Sequence, residues 1–533
     1  MVAMSDAPVH PAAGARFAQG VRAAPFGRFG AASSVRPFGS IGAFGGLGRF
    51  RPFVLVSLLA AALAGANVHA AQTLPPEVHA VLQRAGIPDD AMSVALHNAG
   101  TGQRVLHWQA LRAFNPASLT KLLTTAAALD RLGPAFVWST PVWTSGTLQG
   151  GVLDGSVFIK GQGDPKLVQE RVWLLLRKLQ QQGVRDIRGD IVLDQSAFNV
   201  PDEAPGDFDG EAQRPYNVKP AALLMNFRSA VYTFTPDTAA GVARVALDPP
   251  LAGLQADRTV PLATAGGCGD WRGALKASLE PMQTRFLGSY PAACGERAWP
   301  LADPQPATFE LRMLDALWRE MGGSLRGTVR EGMAPADQRP LFEVFSPALA
   351  EVLRDINKHS NNMMAQQLFL TLALRDNPKL PATPEAARAL LTRWLVQRTG
   401  EVRRLPPGDD GDAGGPDLVI DNGSGLSRQT RISAQRLARL LLQVYDSPVM
   451  SELMSSLPIS GVDGTLVRSR ATPGRAHLKT GSLRDVAAVA GYVLSNSGRR
   501  YVLVASINHA NANAARPALD ALVQWALRDA PAR

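Results

Sequence analysis

Hydrophobic positions change their period several times along this chain, and each change marks an element. Residues 75–90, PPEVHAVLQRAGIPDD, carry a short helical pattern that ends in a turn. The next stretch, AMSVALHNAGTGQRVLHWQA, alternates in the manner of two strands, with Asn98, Gly100 and Gly102 at the hairpin turn. Residues 114–129, FNPASLTKLLTTAAAL, are apolar around most of a helical circumference, which predicts a central buried helix. At the far end, RAHLKTGSL, AAVAGYVLSN and RRYVLVASINH read as three successive strands, the last two separated by Ser497-Gly498. A closing helix follows in ARPALDALVQWALRD, with Leu519, Leu522, Val523 and Ala526 on one side. Strands at both ends with helices between them predict one antiparallel sheet assembled from both ends of the chain.

The middle differs. From about Trp138 to Pro340 short strands (GVLDGSVFIKG, DIRGDIVLDQ, YTFTPD, ARVALDPP) alternate with Gly, Pro and Asp turns, and one helix, QERVWLLLRKLQQQG, interrupts them. This predicts mainly β inserted modules. Helical periodicity returns after Phe345, longest in ALAEVLRDINKHSNNMMAQQLFLTLAL. At 533 residues the chain exceeds one hydrophobic core, in keeping with several modules.

Composition narrows the function classes. The net charge of +10 is concentrated at the start, where Arg16, Arg22, Arg28, Arg36, Arg49 and Arg51 face one acid, Asp6. The remainder is mildly basic and carries no aromatic-interleaved basic stripe, so no nucleic-acid partner is expected. The apolar run VLVSLLAAALAGA behind that basic flank, followed by Val68-x-Ala70, has the pattern of a secretory signal over residues 1–70. An uncleaved anchor is the rival; otherwise an exported, periplasmic protein is expected, at most loosely associated with a membrane. In an oxidising compartment the two cysteines, Cys268 and Cys294, are expected to form a disulfide worth ~3 kcal/mol. No HExxH or CxxC occurs, so neither a metal nor a cofactor is expected.

Three short motifs carry candidate chemistry. Ser118 and Lys121 lie three residues apart near the start of the buried helix, behind Asn115 as N-cap and Pro116 as first helical residue. Residues i and i+3 share a helix face, so the amine reaches the hydroxyl. A lysine in a dry, cationic setting loses its proton, and the neutral amine then activates serine. Ser360-Asn361-Asn362 places polar groups inside an apolar helical run, where they are costly unless paired. Lys479-Thr480-Gly481, followed by Ser482, ends a strand suited to pairing with an extended peptide and gripping a carboxylate, with Gly481 allowing close approach of the substrate. His477, on the same strand, has no obvious carboxylate partner and reads as a bystander. Singly, each motif has a bland reading: a cationic helix edge, a helix-connecting turn, a chance tripeptide. Their order and contexts together point to an active-serine enzyme.

With these motifs the chain resembles the class C low-molecular-mass penicillin-binding proteins, the D-alanyl-D-alanine carboxypeptidase/endopeptidase family. Further resemblance lies in GQGDPKL, YNVKPAALLMNF, DNGSGLSR and PISGVDGTL, and in the 238 residues between Lys121 and Ser360. It implies an α+β fold: a transpeptidase-like, β-lactamase-like domain with an antiparallel sheet flanked by helices, split by two smaller inserted domains, mainly β. The implied segments are 71–139 and 341–533 for the catalytic domain, 140–163 and 216–340 for the second, and 164–215 for the third. The resemblance makes Ser118 the nucleophile and Lys121 its base, with Ser360 and Asn362 in the proton and hydrogen-bond network. Lys479 and Thr480 would bind the terminal carboxylate, and the Ser118 and Ser482 N–H groups would form the oxyanion hole. The implied partners are peptidoglycan peptides as substrates and β-lactam antibiotics as covalent inhibitors. A serine β-lactamase and a non-catalytic peptidoglycan-binding protein are the alternatives; the oligomeric state is not legible.

Overall fold

The computed structural model describes residues 73–201, 204–401, 404–405 and 415–529. The secretory pattern of residues 1–70 lies outside them. Five strands form the central antiparallel sheet: β1 (Met92–Asn98), β2 (Arg104–Trp108), β3 (Ala476–Leu483), β4 (Val486–Leu494) and β5 (Arg500–Asn508), ordered β2-β1-β5-β4-β3. Met92 pairs with Ile507 and Asn98 with Tyr501, so the first strand lies beside the last. The alternation in β5 explains how both faces are covered. Tyr501, Leu503, Ala505 and Ile507 join the core under the two terminal helices, α1 (Pro76–Arg84) and, at the chain's end, Arg516–Leu527. Val502 and Val504 point the other way, into the core of the central helices.

That second core is built around α2 (Thr120–Leu132), whose residues from Thr120 to Leu129 are all buried. Its buried hydroxyls are satisfied locally: Thr125 Oγ1 donates to the Lys121 carbonyl at 2.7 Å and Thr124 Oγ1 to the Gly423 carbonyl at 2.8 Å. Packed with it are α3 (Leu349–Lys358) and α4 (Asn362–Asp376). The long helical run read from the sequence breaks between these two at Ser360, which has φ +56°, and Asn361 caps α4 by accepting from the Met364 N–H.

The intervening region begins and ends on neighbouring strands, Ser139–Thr144 pairing antiparallel with Phe342–Phe345. These belong to a five-stranded sheet with Val157–Lys160, Ile191–Asp194 and Val329–Glu331. Within it Val157–Lys160 and Ile191–Asp194, on either side of the helix Gln169–Gln181, pair directly and in parallel. Residues 229–302 build two further sheets, of five and three strands, and Cys268 and Cys294 are joined within that stretch, S–S 2.03 Å. A second long helix, Phe309–Glu320, also stands in this region; Phe309, Met313, Leu314, Leu317 and Trp318 give it a buried stripe at helical spacing. Gln367 of α4 ties the insertion to the central helices, its amide bonding both the N–H and the C=O of Ala221. Among the described residues no helix is long and apolar enough to cross a membrane.

Candidate active site

Ser118 sits in a single 3-10 turn, Ala117–Leu119, that leads into α2. The helix proper therefore starts later than the Asn115-Pro116 signal implies, although the Asn115 side chain does accept from the Ala117 N–H at 2.9 Å. The tight turn puts Ala117 at φ +46°. Left-handed backbone at a buried alanine costs about 1–3 kcal/mol and persists only where surrounding contacts hold it. One such contact is the loop DNGSGLSR. Gly425, at φ +79°, packs so closely that a Cβ there would lie 1.9 Å from the Ala117 carbonyl oxygen.

The Lys121 amine is fully buried behind this turn. Its Nζ lies 3.0 Å from Ser118 Oγ, and it donates to Asn362 Oδ1 and to the Ser424 carbonyl, each at 2.6 Å. Burial is the main cause that holds its pKa far below that of a free lysine, and the Lys479 charge adds to it. A neutral amine has two N–H groups and one lone pair. Asn362 Oδ1 and the Ser424 carbonyl are acceptors that take both N–H groups, so the lone pair is left facing the Ser118 hydroxyl.

Strand β3 forms the opposite wall at the sheet's edge. Lys479, also fully buried, donates to Ser360 Oγ at 2.9 Å and to the Thr480 carbonyl at 2.8 Å, and burial lowers its pKa to about 7. Thr480 Oγ1 bonds Thr465 Oγ1 at 2.7 Å. The Leu478 N–H points away from β4, to the Pro458 carbonyl. By the two-residue repeat of a strand, the Ser482 N–H faces the same open edge. A Cβ at Gly481 would lie 2.7 Å from the Pro116 carbonyl oxygen, so the serine's own turn requires glycine there. His477 meets only the Met454 carbonyl, at 3.2 Å, among described hydrogen-bond partners.

The geometry thus gathers the residues into two hydrogen-bonded groups, Ser118 with Lys121 and Asn362, and Ser360 with Lys479 and Thr480, and the Lys479 charge is felt at Lys121. Two contributors were not singled out from the sequence. Ser424 acts through its carbonyl, which any residue supplies, so only the flanking glycines of DNGSGLSR carried a signal. Thr465 lies in PISGVDGTL, a stretch quoted for resemblance without a role. The arrangement can deprotonate a serine and hold an extended peptide beside it.

Comparison with known proteins bears on this arrangement. The D-Ala-D-Ala carboxypeptidase 3 (S13) family pattern matches residues 74–529. The chain is 25% identical over 413 residues to the D-alanyl-D-alanine carboxypeptidase DacB of Haemophilus influenzae, covering 74% of this chain and 80% of that one. It is 27% identical over 498 residues to a D-alanyl-D-alanine carboxypeptidase of Actinomadura, covering 87% and 88%. The crystal structure of penicillin binding protein 4 from H. influenzae shares the fold, with a TM-score of 0.65 at 23% identity over 84% of this chain and 99% of that one.

Proposed function

The chain belongs to the D-Ala-D-Ala carboxypeptidase 3 (S13) family, a serine-type peptidase, and from that premise we propose the roles of its residues. Ser118 Oγ attacks the carbonyl of the penultimate D-alanine, at a stem-peptide end or a D-alanine crosslink, while Lys121 takes its proton. The Ser118 and Ser482 N–H groups hold the oxyanion that forms. Ser360, joined to Lys479, returns a proton to the departing amine. Water then hydrolyses the acyl-enzyme. Asn362 holds Lys121 and the substrate amide, and Lys479 with Thr480 receives the terminal carboxylate. β-Lactams acylate Ser118 because their strained amide imitates the same bond. The leader pattern of residues 1–70 supports export, with this work carried out in the cell envelope.

The observation that carries this reading is the Lys121 amine, with both N–H groups committed to acceptors and its third contact the Ser118 hydroxyl. A fluorescent penicillin is expected to label the purified protein, Ser118→Ala is expected to take no label, and mass spectrometry is expected to show D-alanine leaving a pentapeptide. Equal labelling of wild type and Ser118→Ala would refute it. Rapid turnover of the antibiotic in place of a stable adduct would indicate a β-lactamase. Binding of peptidoglycan with neither adduct nor D-alanine release would indicate a non-catalytic binder.

A further inference from the structure

The closing helix, α5 (Arg516–Leu527), opens with an arginine whose guanidinium reaches the Ser482 hydroxyl of the substrate strand. Its Nε and Nη2 also donate to Asn513 Oδ1, at 3.1 and 2.9 Å. Asn513 in turn donates to the carbonyls of Leu483 and Arg484, at 3.1 and 2.9 Å. These partners are neutral, and no described carboxylate pairs with Arg516. Other exposed arginines do have acids: Arg428 pairs with Asp485 at 2.9 Å, and Arg528 with Glu77. Arg516 is itself exposed, so its charge stands uncompensated beside the strand that Thr480 and Ser482 share.

Residues two apart on a strand present the same face, with Cα atoms about 6.7 Å apart. Thr480 and Ser482 are such a pair, and the Lys479 amine, bonded to Ser360 Oγ and to the Thr480 carbonyl, adds its charge at the Thr480 end. A carboxylate accepting from the Thr480 hydroxyl has one oxygen left, and a guanidinium already at Ser482 is within reach of it. Exchanging the neutral Ser482 hydroxyl for an anion forms a charge-assisted bond at a solvent-facing rim. We propose that Arg516 is a specificity residue that recognises the free C-terminal carboxylate of the substrate, swinging from Ser482 to the anion held at Thr480. The inference rests on the catalytic reading above and adds to it the side chain that distinguishes a free chain end from a blocked one.

The test uses an N-acyl-D-alanyl thioglycolate and its methyl ester, reactive thioesters that differ only in the terminal charge. With the full-length protein, Arg516→Ala is expected to lower kcat/KM for the acid by about 10- to 100-fold, the scale of one lost charge-assisted hydrogen bond. The ester is expected to change by less than about twofold, and Arg516→Lys to recover part of the acid's rate. Added salt is expected to weaken the acid's advantage in the wild type. Equal losses on acid and ester would make Arg516 only a brace for the end of β3, and no loss on either would remove its role; both outcomes overturn the proposal. Wild type that hydrolyses neither thioester and takes no penicillin label would refute the catalytic reading itself, and this inference with it.

Discussion

In the inserted region Arg228 lies 2.7 Å from Glu310, their side chains 14% and 3% exposed, and Arg312 meets Asp303 at 2.5 Å. In the catalytic cleft Lys121 and Lys479 are both fully buried, and neither has a described acid within reach. Burial pushes the Glu310 carboxyl up, and Arg228 opposes that push. Burial pushes both lysines down, and for Lys121 the second lysine adds to the push. A buried ion pair and a buried lone amine therefore do opposite work. The first sets a guanidinium against a carboxyl group and fixes Arg228 to the helix Phe309–Glu320; the second favours the uncharged amine, the form that the proposed base needs.

The largest expected effect tests the cleft. Lys121→Met removes the base and is expected to slow acylation by penicillin by about 10²- to 10⁴-fold, with the thermal midpoint showing a folded protein. Acylation at the wild-type rate would mean that another group takes the serine proton. Arg228→Leu probes the paired side of the contrast. It leaves Glu310 buried without its cation and is expected to cost about 3–5 kcal/mol in urea unfolding. Acylation per folded molecule should stay within about twofold, and a loss comparable to that of Lys121→Met would erase the distinction between the two regions. Replacing Cys268 and Cys294 together by serine is expected to cost ~3 kcal/mol, also without slowing acylation.

A pH scan sharpens the contrast further. The folded pKa of Lys479, about 7, lies below the unfolded value of 10.5. Between those values the unfolded chain binds a proton that the folded one does not, so this group lowers stability as pH falls from about 10.5 to about 7 and changes nothing further below that range. Lys479→Met is expected to flatten that part of the decline, read as thermal midpoint against pH; an unchanged slope would mean that the amine is charged in the fold. The smallest effect concerns the rim. Thr465→Val removes one hydroxyl partner of Thr480 and is expected to cost about 1 kcal/mol of carboxylate-dependent binding, seen as a raised KM at constant kcat.

The sheet was legible because its strands alternate cleanly, as in β5, and because Gly-rich turns stand between them. The cleft was legible because its side chains are rare in such surroundings: a lysine in an apolar helix, or Ser-Asn-Asn within a helical run, has to be explained by chemistry. What escaped notice had weaker local signals. The Ser424 carbonyl is backbone, and Arg516 looks like any helix-opening arginine until Ser482, 34 positions earlier, is seen against it. The pairing of Val157–Lys160 with Ile191–Asp194 was not legible because the two run in parallel across a helix, and parallel partners leave no turn signature between them. The helix Phe309–Glu320 is a different case, since its apolar spacing was present in the sequence and was passed over among the surrounding strands.

The neighbouring placement of β1 and β5 carries a consequence for synthesis. Lys479 and the edge strand that carries it follow Ser118 by more than half of the sequence, and β1 has no partner on that side until β5 exists. A ribosome that stops anywhere before residue 476 therefore releases a product with Ser118 and Lys121 but without the strand that stands opposite them. The proposed activity therefore waits until β3, β4 and β5 have all been made.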